Sequence, residues 1–241
     1  MEPDSYLKAL ADAARGLDPD EVTAAADRIE AAWARGATVF VVGNGGSAAT
    51  ASHMACDLAK SATPGLAAGN RVVPLLDTSV LTAWANDVSY EAVFAAQLAT
   101  QARAGDILIV VTASGNSPSI VQALTTARTR RVETIALLGF DGGRARSLAD
   151  DVIMVPADHY GVVEDLHLAV NHMITELLGA RALASSSVAA SPTVGGTRLN
   201  GARPLGLTSG TSGRAGRACT PCSPGVGRPS SAPRSTASRR S

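Results

Sequence analysis

Short β-branched runs alternating with stretches of helical length predict an α/β fold, a parallel, doubly wound sheet of five strands preceded by two helices. The two N-terminal helices are read at about 4–15 and 19–35, the second opened by Asp18 or Asp20 near its N-cap. The strands are read as Thr38–Val42, Arg71–Leu76, Asp106–Val111, Val132–Leu138 and Asp151–Val155. Each is apolar almost throughout, the pattern of strands covered on both faces. Helices are expected between them at about 46–62, 90–103, 117–130 and 143–149, and a last one at 161–183. In such sheets ligands sit beyond the carboxyl ends of the strands, so the residues just after each strand are the ones to inspect.

The 241 residues are 46% hydrophobic but only 3% aromatic, so the core must be built from Ala, Val, Leu and Ile. No apolar run approaches the ~18 residues of a membrane span. The N-terminus, MEPDSYLKAL, lacks the basic-then-apolar order of a secretion signal. A cytoplasmic protein with no membrane partner is expected. The cysteines, Cys56, Cys219 and Cys222, imply no disulfide framework. Net charge is zero, but it divides: positions 1–184 carry 13 basic and 21 acidic residues, and the remainder carries eight arginines and no acid. Residues 185–241 are dominated by Ser, Gly, Pro, Arg, Ala and Thr and contain no aromatic. That composition cannot bury enough apolar surface to offset the entropy of ordering, so a disordered tail is expected after a domain spanning 1–184. A basic tail is compatible with nucleic-acid phosphates. An unselected extension, such as a shifted reading frame, accounts for it as well, and no nucleic-acid partner is expected. Cys219-Thr-Pro-Cys222 has the spacing of half a metal knuckle, without a second half.

Two turns carry ligand-binding chemistry. Gly43-Asn44-Gly45-Gly46-Ser47 follows the first strand and leads straight into a helix. Its glycines let backbone approach a ligand closely, and the helix N-terminus offers N–H groups and partial positive charge to an anion. It is neither a dinucleotide G-x-G-x-x-G nor a nucleotide-triphosphate loop. Thr112-Ala113-Ser114-Gly115-Asn116-Ser117-Pro118 follows the third strand, with Pro118 at the first helical position and Ser117 as N-cap. Either turn alone is an ordinary capped connection; two at one sheet edge point to a shared site for a phosphosugar. A third constellation is ionisable. His53 and Asp57 are four apart on one helix and share a face. Glu164 and His172 are eight apart on the last helix, with Asp165 and His167 nearby. Two imidazoles and two carboxylates suit a metal, or equally the acid and base of a proton transfer.

In order and spacing, these motifs resemble the phosphoheptose isomerases of the sugar isomerase (SIS) class. The matching segments are Gly43-Asn-Gly-Gly-Ser-Ala-Ala, His53-Met-Ala-Cys-Asp57-Leu, Ala85-Asn86-Asp87, Ser114-Gly-Asn-Ser117, Leu138-Gly-Phe-Asp-Gly-Gly143, and Glu164-Asp-Leu-His167 with His172. The likeness spans roughly residues 5–183. It implies a flavodoxin-like SIS fold, a homotetramer with active sites between subunits, and isomerisation of sedoheptulose 7-phosphate to D-glycero-D-manno-heptose 7-phosphate through an enediol. It implies that Ser47, Ser114 and Ser117, with Thr112 nearby, hold the phosphate, that Ala113 also binds the substrate, and that Asn44, Gly45, Gly46, Asn86 and Asp87 line the sugar. His53, Asp57, Glu164 and His172 fall where that family places a metal, often zinc, and positions 57 and 172 where it places general base and general acid. Two positions depart from its pattern. Asp57 stands where Glu is usual; it is one methylene shorter, and a ~1 Å misplacement can cost ~10²-fold. Glu164 stands where Gln is usual, and its charge would tighten a metal and make it a second candidate for the base. The same fold serves a non-catalytic adaptor of a replication initiator and isomerases of other sugar phosphates. Retention of His53 and His172 favours the enzyme, since an adaptor needs neither.

Overall fold

The computed structural model describes residues 1–60 and 70–189. The chain divides into a unit Met1–Thr193 and a unit Val194–Ser241. All of the second unit, and with it Cys219 and Cys222, lies outside the described residues, as does nearly all of the tail expected from 185.

Two helices come first, α1 (Pro3–Arg15) and α2 (Pro19–Ala34), each with Pro in its first turn. Proline there gives up only an N–H that no intrahelical bond would use. Asp18 is the cap of α2, accepting from the Asp20 N–H at 2.9 Å. Then follow β1 (Thr38–Gly43), α3 (Gly46–Lys60), β2 (Arg71–Pro74), α4 (Thr78–Asp87), α5 (Val93–Gln101), β3 (Ile107–Thr112), α6 (Pro118–Arg130), β4 (Glu133–Leu138), β5 (Asp151–Met154) and α7 (Tyr160–Ala189). All strand pairs are parallel, in the order β2-β1-β3-β4-β5. This is the doubly wound, flavodoxin-like arrangement that the sequence predicts.

Side chains alternate along the central strands, because a strand repeats every two residues. Ile107, Ile109 and Val111 join Val39 and Val41 in one core with α2, α3 and α7. Leu108 and Val110 join Phe40 and Val42 in a second core with α5 and α6. The strands β1, β3 and β4 are buried almost throughout; β2 and β5, at the edges, are not. Burial on both faces therefore holds for the three central strands only, since an edge strand has one neighbour. Arg28 ties α2 to the entry of the sheet, bonding both Asp151 and Glu133.

Three elements differ from expectation. Helix α4 occupies a stretch where none is predicted. Its apolar residues are interspersed with Thr and Ser, which weakens the periodic signal, but Asp77 caps it by accepting from the Val80 N–H at 3.0 Å. The helix expected at 143–149 is only a 3-10 turn, Arg144–Ser147. Gly142 and Gly143 precede it with φ of 83° and 51°, which are not helical, and β5 follows at Asp151, so only one short turn fits; the Ala145 N–H bonds the Gly115 carbonyl. The stretch at 90–103 begins as a 3-10 turn, Tyr90–Ala92, before α5.

Buried on α7 is His167, fully enclosed, with neither ring nitrogen in a hydrogen bond. Burial pushes its pKa down to about 4, opposed in part by the nearby Leu138 backbone. A histidine depressed in the folded state but ordinary when unfolded favours folding above its unfolded value, and that stability is lost as pH falls from about 6.5 toward 4. Urea unfolding at pH 5 is therefore expected to show ~2 kcal/mol less stability than at pH 7.5 from this group alone. His167→Leu should flatten that segment of the profile; an unaltered slope would assign the loss elsewhere.

Candidate active site

The chain runs from β1 outward to β2 and then returns to β3 on the other side of β1. The carboxyl ends of β1 and β3 thus flank the topological switch point, where crevices form in doubly wound sheets. Both Gly/Ser-rich turns sit there. After β1, Gly45 adopts φ 56° and Ser47 is buried in the first turn of α3. After β3, Thr112 and Ala113 are buried, Ser114 is half-buried, and Ser117 stands at the N-cap of α6 without a side-chain capping bond. The turns are joined directly: the Asn44 amide donates to Ser119 Oγ at 3.0 Å.

The second turn is locked from below by the loop after β4. A Cβ on Gly115, whose φ is 64°, would run into the Gly142 carbonyl, and one on Gly143 would meet Asn116 Nδ2 at 2.6 Å. Asn116 fastens this contact, donating to the Ser114 carbonyl at 3.0 Å and accepting from the Arg144 N–H at 3.1 Å.

The ionisable residues meet where α3 and α7 pack side by side. His53 Nε2 lies 3.2 Å from Asp57 Oδ2, and His172 Nε2 lies 3.8 Å from the same oxygen. The two imidazoles cross edge to face with ring centroids 5.2 Å apart. Ligand atoms of His53, Asp57 and His172 all fall within 4.8 Å of one another, the spacing of a metal-binding group. Two nitrogens and one carboxylate oxygen match the donor types of three-ligand zinc sites.

Glu164 is not in that group, although a four-residue set is expected from the sequence. Eight residues of helix are more than two turns, about 12 Å along the axis, so sharing a helix does not bring it to His172. Its carboxylate lies instead against Gly46, whose missing Cβ would meet both carboxylate oxygens at 2.5 Å. Asp165 accepts from the Tyr6 hydroxyl at 2.7 Å, a bond that raises the tyrosine pKa to about 12. Asn86 and Asp87, exposed at the end of α4, bond to each other at 2.8 Å. Just beyond them, Tyr90 donates to the Asn44 carbonyl oxygen at 2.8 Å and brings this segment beside the first turn.

Sequence reading missed Tyr90, Ser119 and Asn171. The Asn171 amide donates to Asp57 Oδ2 at 2.8 Å. Nothing in spacing pairs Tyr90 or Ser119 with Asn44 across 46 or 75 residues. Asn171, next to Val170 of the apolar stripe Leu166, Val170, Ile174 and Leu178, did carry a signal: amides are rare on core-facing helix positions unless bonded.

Residues 5–139 match the SIS domain family. A phosphoheptose isomerase from Akkermansia muciniphila is 41% identical over 143 residues, covering 59% of this chain and 76% of that protein. A probable phosphoheptose isomerase from Thermoplasma acidophilum is 34% identical over 182 residues, covering 74% of this chain and 98% of that protein. The solved phosphoheptose isomerase from Neisseria gonorrhoeae superposes with a TM-score of 0.67 at 29% identity, over 73% of this chain and 94% of the other. That from Francisella tularensis gives 0.68 at 27% identity, with the same coverage.

Gly115→Ala tests the lock between the two loops. Positive φ and the overlap with Gly142 are expected to cost at least ~2 kcal/mol in urea unfolding. An unchanged midpoint would mean that the loops yield without penalty.

Proposed function

The chain belongs to the SIS-domain phosphoheptose isomerase family, and from that premise we propose that it isomerises sedoheptulose 7-phosphate to D-glycero-D-manno-heptose 7-phosphate, supplying the first step toward nucleotide-activated heptoses. It is a sugar-phosphate isomerase. The observation that carries the reading is the meeting of His53, Asp57 and His172 on α3 and α7, on the chain whose two hydroxyl-rich turns flank the switch point.

The ketose must lose a proton from C1 and gain one at C2, while a proton leaves O1 and another reaches O2. In the proposed mechanism Asp57 takes the C1 proton, giving the enediol, and returns it to C2. His172 donates to O2 and accepts the proton of O1. Each transfer is worth ~10²–10⁴ in rate. Both side chains are open to a substrate, Asp57 at 20% exposure and His172 at 53%. Ser47, Thr112, Ala113, Ser114 and Ser117 take the phosphate, and Asn44, Gly45, Gly46, Asn86 and Asp87 the sugar hydroxyls. Glu164, beside Gly46, belongs to the sugar end of the same cleft. Zinc bound by His53, Asp57 and His172 would polarise the carbonyl and orient the hydroxyls.

A homotetramer in the cytoplasm belongs to the same proposal. Helix α4 buries none of its residues, and Val80, Val88 and Tyr90 on and beside it are exposed, an apolar surface suited to a second copy. Among the described residues no helix is long and apolar enough to cross a membrane.

Full-length protein incubated with sedoheptulose 7-phosphate, with and without zinc, is expected to yield an aldoheptose 7-phosphate by mass-resolved chromatography. His172→Ala and Asp57→Asn should each lower kcat by ~10²–10⁴. Glu164→Gln should retain turnover to within about tenfold, because its carboxylate stands apart from the other two groups. No product from folded protein under either condition would sink the assignment; a loss at Glu164→Gln as large as at Asp57→Asn would move the base to position 164.

A further inference from the structure

Asn171 lies in the middle of α7 with no exposed surface, between Val170, whose side chain is in the core, and His172 of the site. Its amide has two side-chain partners. It donates to Asp57 Oδ2 at 2.8 Å, and Thr175 donates to its carbonyl oxygen at 3.5 Å, one helical turn on. The orientation is fixed by chemistry, since a carboxylate only accepts and the amide nitrogen must therefore face Asp57. The contacts from His53, Asn171 and His172 all converge on Oδ2, and the one from Asn171 is the shortest of the three. Rotation of a carboxylate about its last bond is broad and only loosely restrained by its own torsional preference. A fully buried amide in mid-helix, whose bond to Oδ2 is 2.8 Å, supplies the missing restraint.

We propose that Asn171 is a positioning residue: it sets the plane of the short Asp57 carboxylate, so that this group faces His53 and His172 in the orientation that proton transfer and metal binding both require. The proposal rests on the isomerase reading for its kinetic part only. A buried amide is costly unless its hydrogen bonds are made. Leucine of similar size would serve the packing of α7 as well, so the amide is explained by what it holds. Groups that orient a ligating or catalytic carboxylate typically change metal affinity or activity by ~10–100-fold when removed.

Four full-length proteins test it: wild type, Asn171→Leu, Asp57→Glu and the double variant. For each, kcat and KM on sedoheptulose 7-phosphate, zinc affinity by competition with a chromophoric chelator, and Tm are measured. Asn171→Leu is expected to lower kcat ~10–100-fold with KM within about twofold, to weaken zinc about tenfold or more, and to leave Tm no lower. In the Asp57→Glu background, where the longer side chain carries its carboxylate past the amide, the same substitution should cost less than about threefold. Wild-type kcat and zinc affinity in Asn171→Leu, or losses that simply multiply in the double variant, would overturn the proposal. Asn171→Thr, whose hydroxyl is too short to reach Asp57, repeats the comparison should the leucine variant not fold. A wild type that binds zinc but does not turn over the sugar phosphate would refute the isomerase reading and leave the zinc cycle to decide on Asn171. A wild type that does neither would overturn both.

Discussion

Where α3 begins, Gly46 has no side chain, and the carboxylate of Glu164 lies where one would stand. This contact marks the height at which α7 lies along α3. Further along the same two helices, Asp57 meets Asn171 and both histidines. The helices therefore run in the same direction, in one register, with the glycine at one end of the contact and the ionisable group at the other. A slip of a single turn, about 5.4 Å, would carry His172 out of reach of Asp57. Both helices pack on one face of the sheet through Ala51, Met54, Ala55, Leu58, Val170, Ile174 and Leu178. The register is thus held by the core and not by the site.

The sheet order does the complementary work. Because β1 and β3 are neighbours while their connections leave in opposite directions, two helix N-termini open onto one crevice. They are not electrostatically equal. At the start of α3 the Glu164 carboxylate already lies against the backbone, and a second anion there would meet like charge. The start of α6 has no acidic residue in its first turn, and its N-cap hydroxyl is not committed to the helix. On the proposed reading this asymmetry centres the phosphate on the turn at 112–118, with Ser47 its one partner from α3, and leaves Asn44, Gly45 and Gly46 to sugar hydroxyls.

Much of this was legible in the sequence, and the reason is period. Central strands such as Ile107–Thr112 are apolar up to the last residue because both faces are covered, and that signal survives without any partner. The Gly-rich turns announce themselves for the same reason, since a local backbone need has a local residue type. The family is recognisable because those turns and the His/Asp spacings recur in order. Helix α4 was missed because its inward residues Leu81, Trp84 and Ala85 are only partly buried and are interleaved with Thr82 and Ala83, which leaves a weak face in the sequence. The expected helix at 143–149 failed because Gly142 and Gly143 take positive φ and β5 begins at Asp151, which leaves room for a single 3-10 turn. The placement of Glu164 was hidden too: helical spacing gives the angle around an axis, but only tertiary packing shows what lies opposite each height.

The inner surface of α7 carries two adjacent rows. Leu166, Val170, Ile174 and Leu178 form an apolar row at four-residue spacing, and His167, Asn171 and Thr175 form a buried polar row one residue round. Stability alone would have made the second row apolar, because each enclosed polar group costs free energy that only a well-made bond offsets. The three members offset it unequally. Thr175 and Asn171 bond each other, and Asn171 reaches Asp57, so that part of the row ends at the chemistry. His167 lies near the Leu138 backbone without a well-made bond and stays neutral at the expense of stability below neutral pH. A helix built only to cover a sheet would carry neither Asn171 nor His167. Of the row, Asn171 is the member that reaches α3, and the apolar row beside it keeps that amide in place.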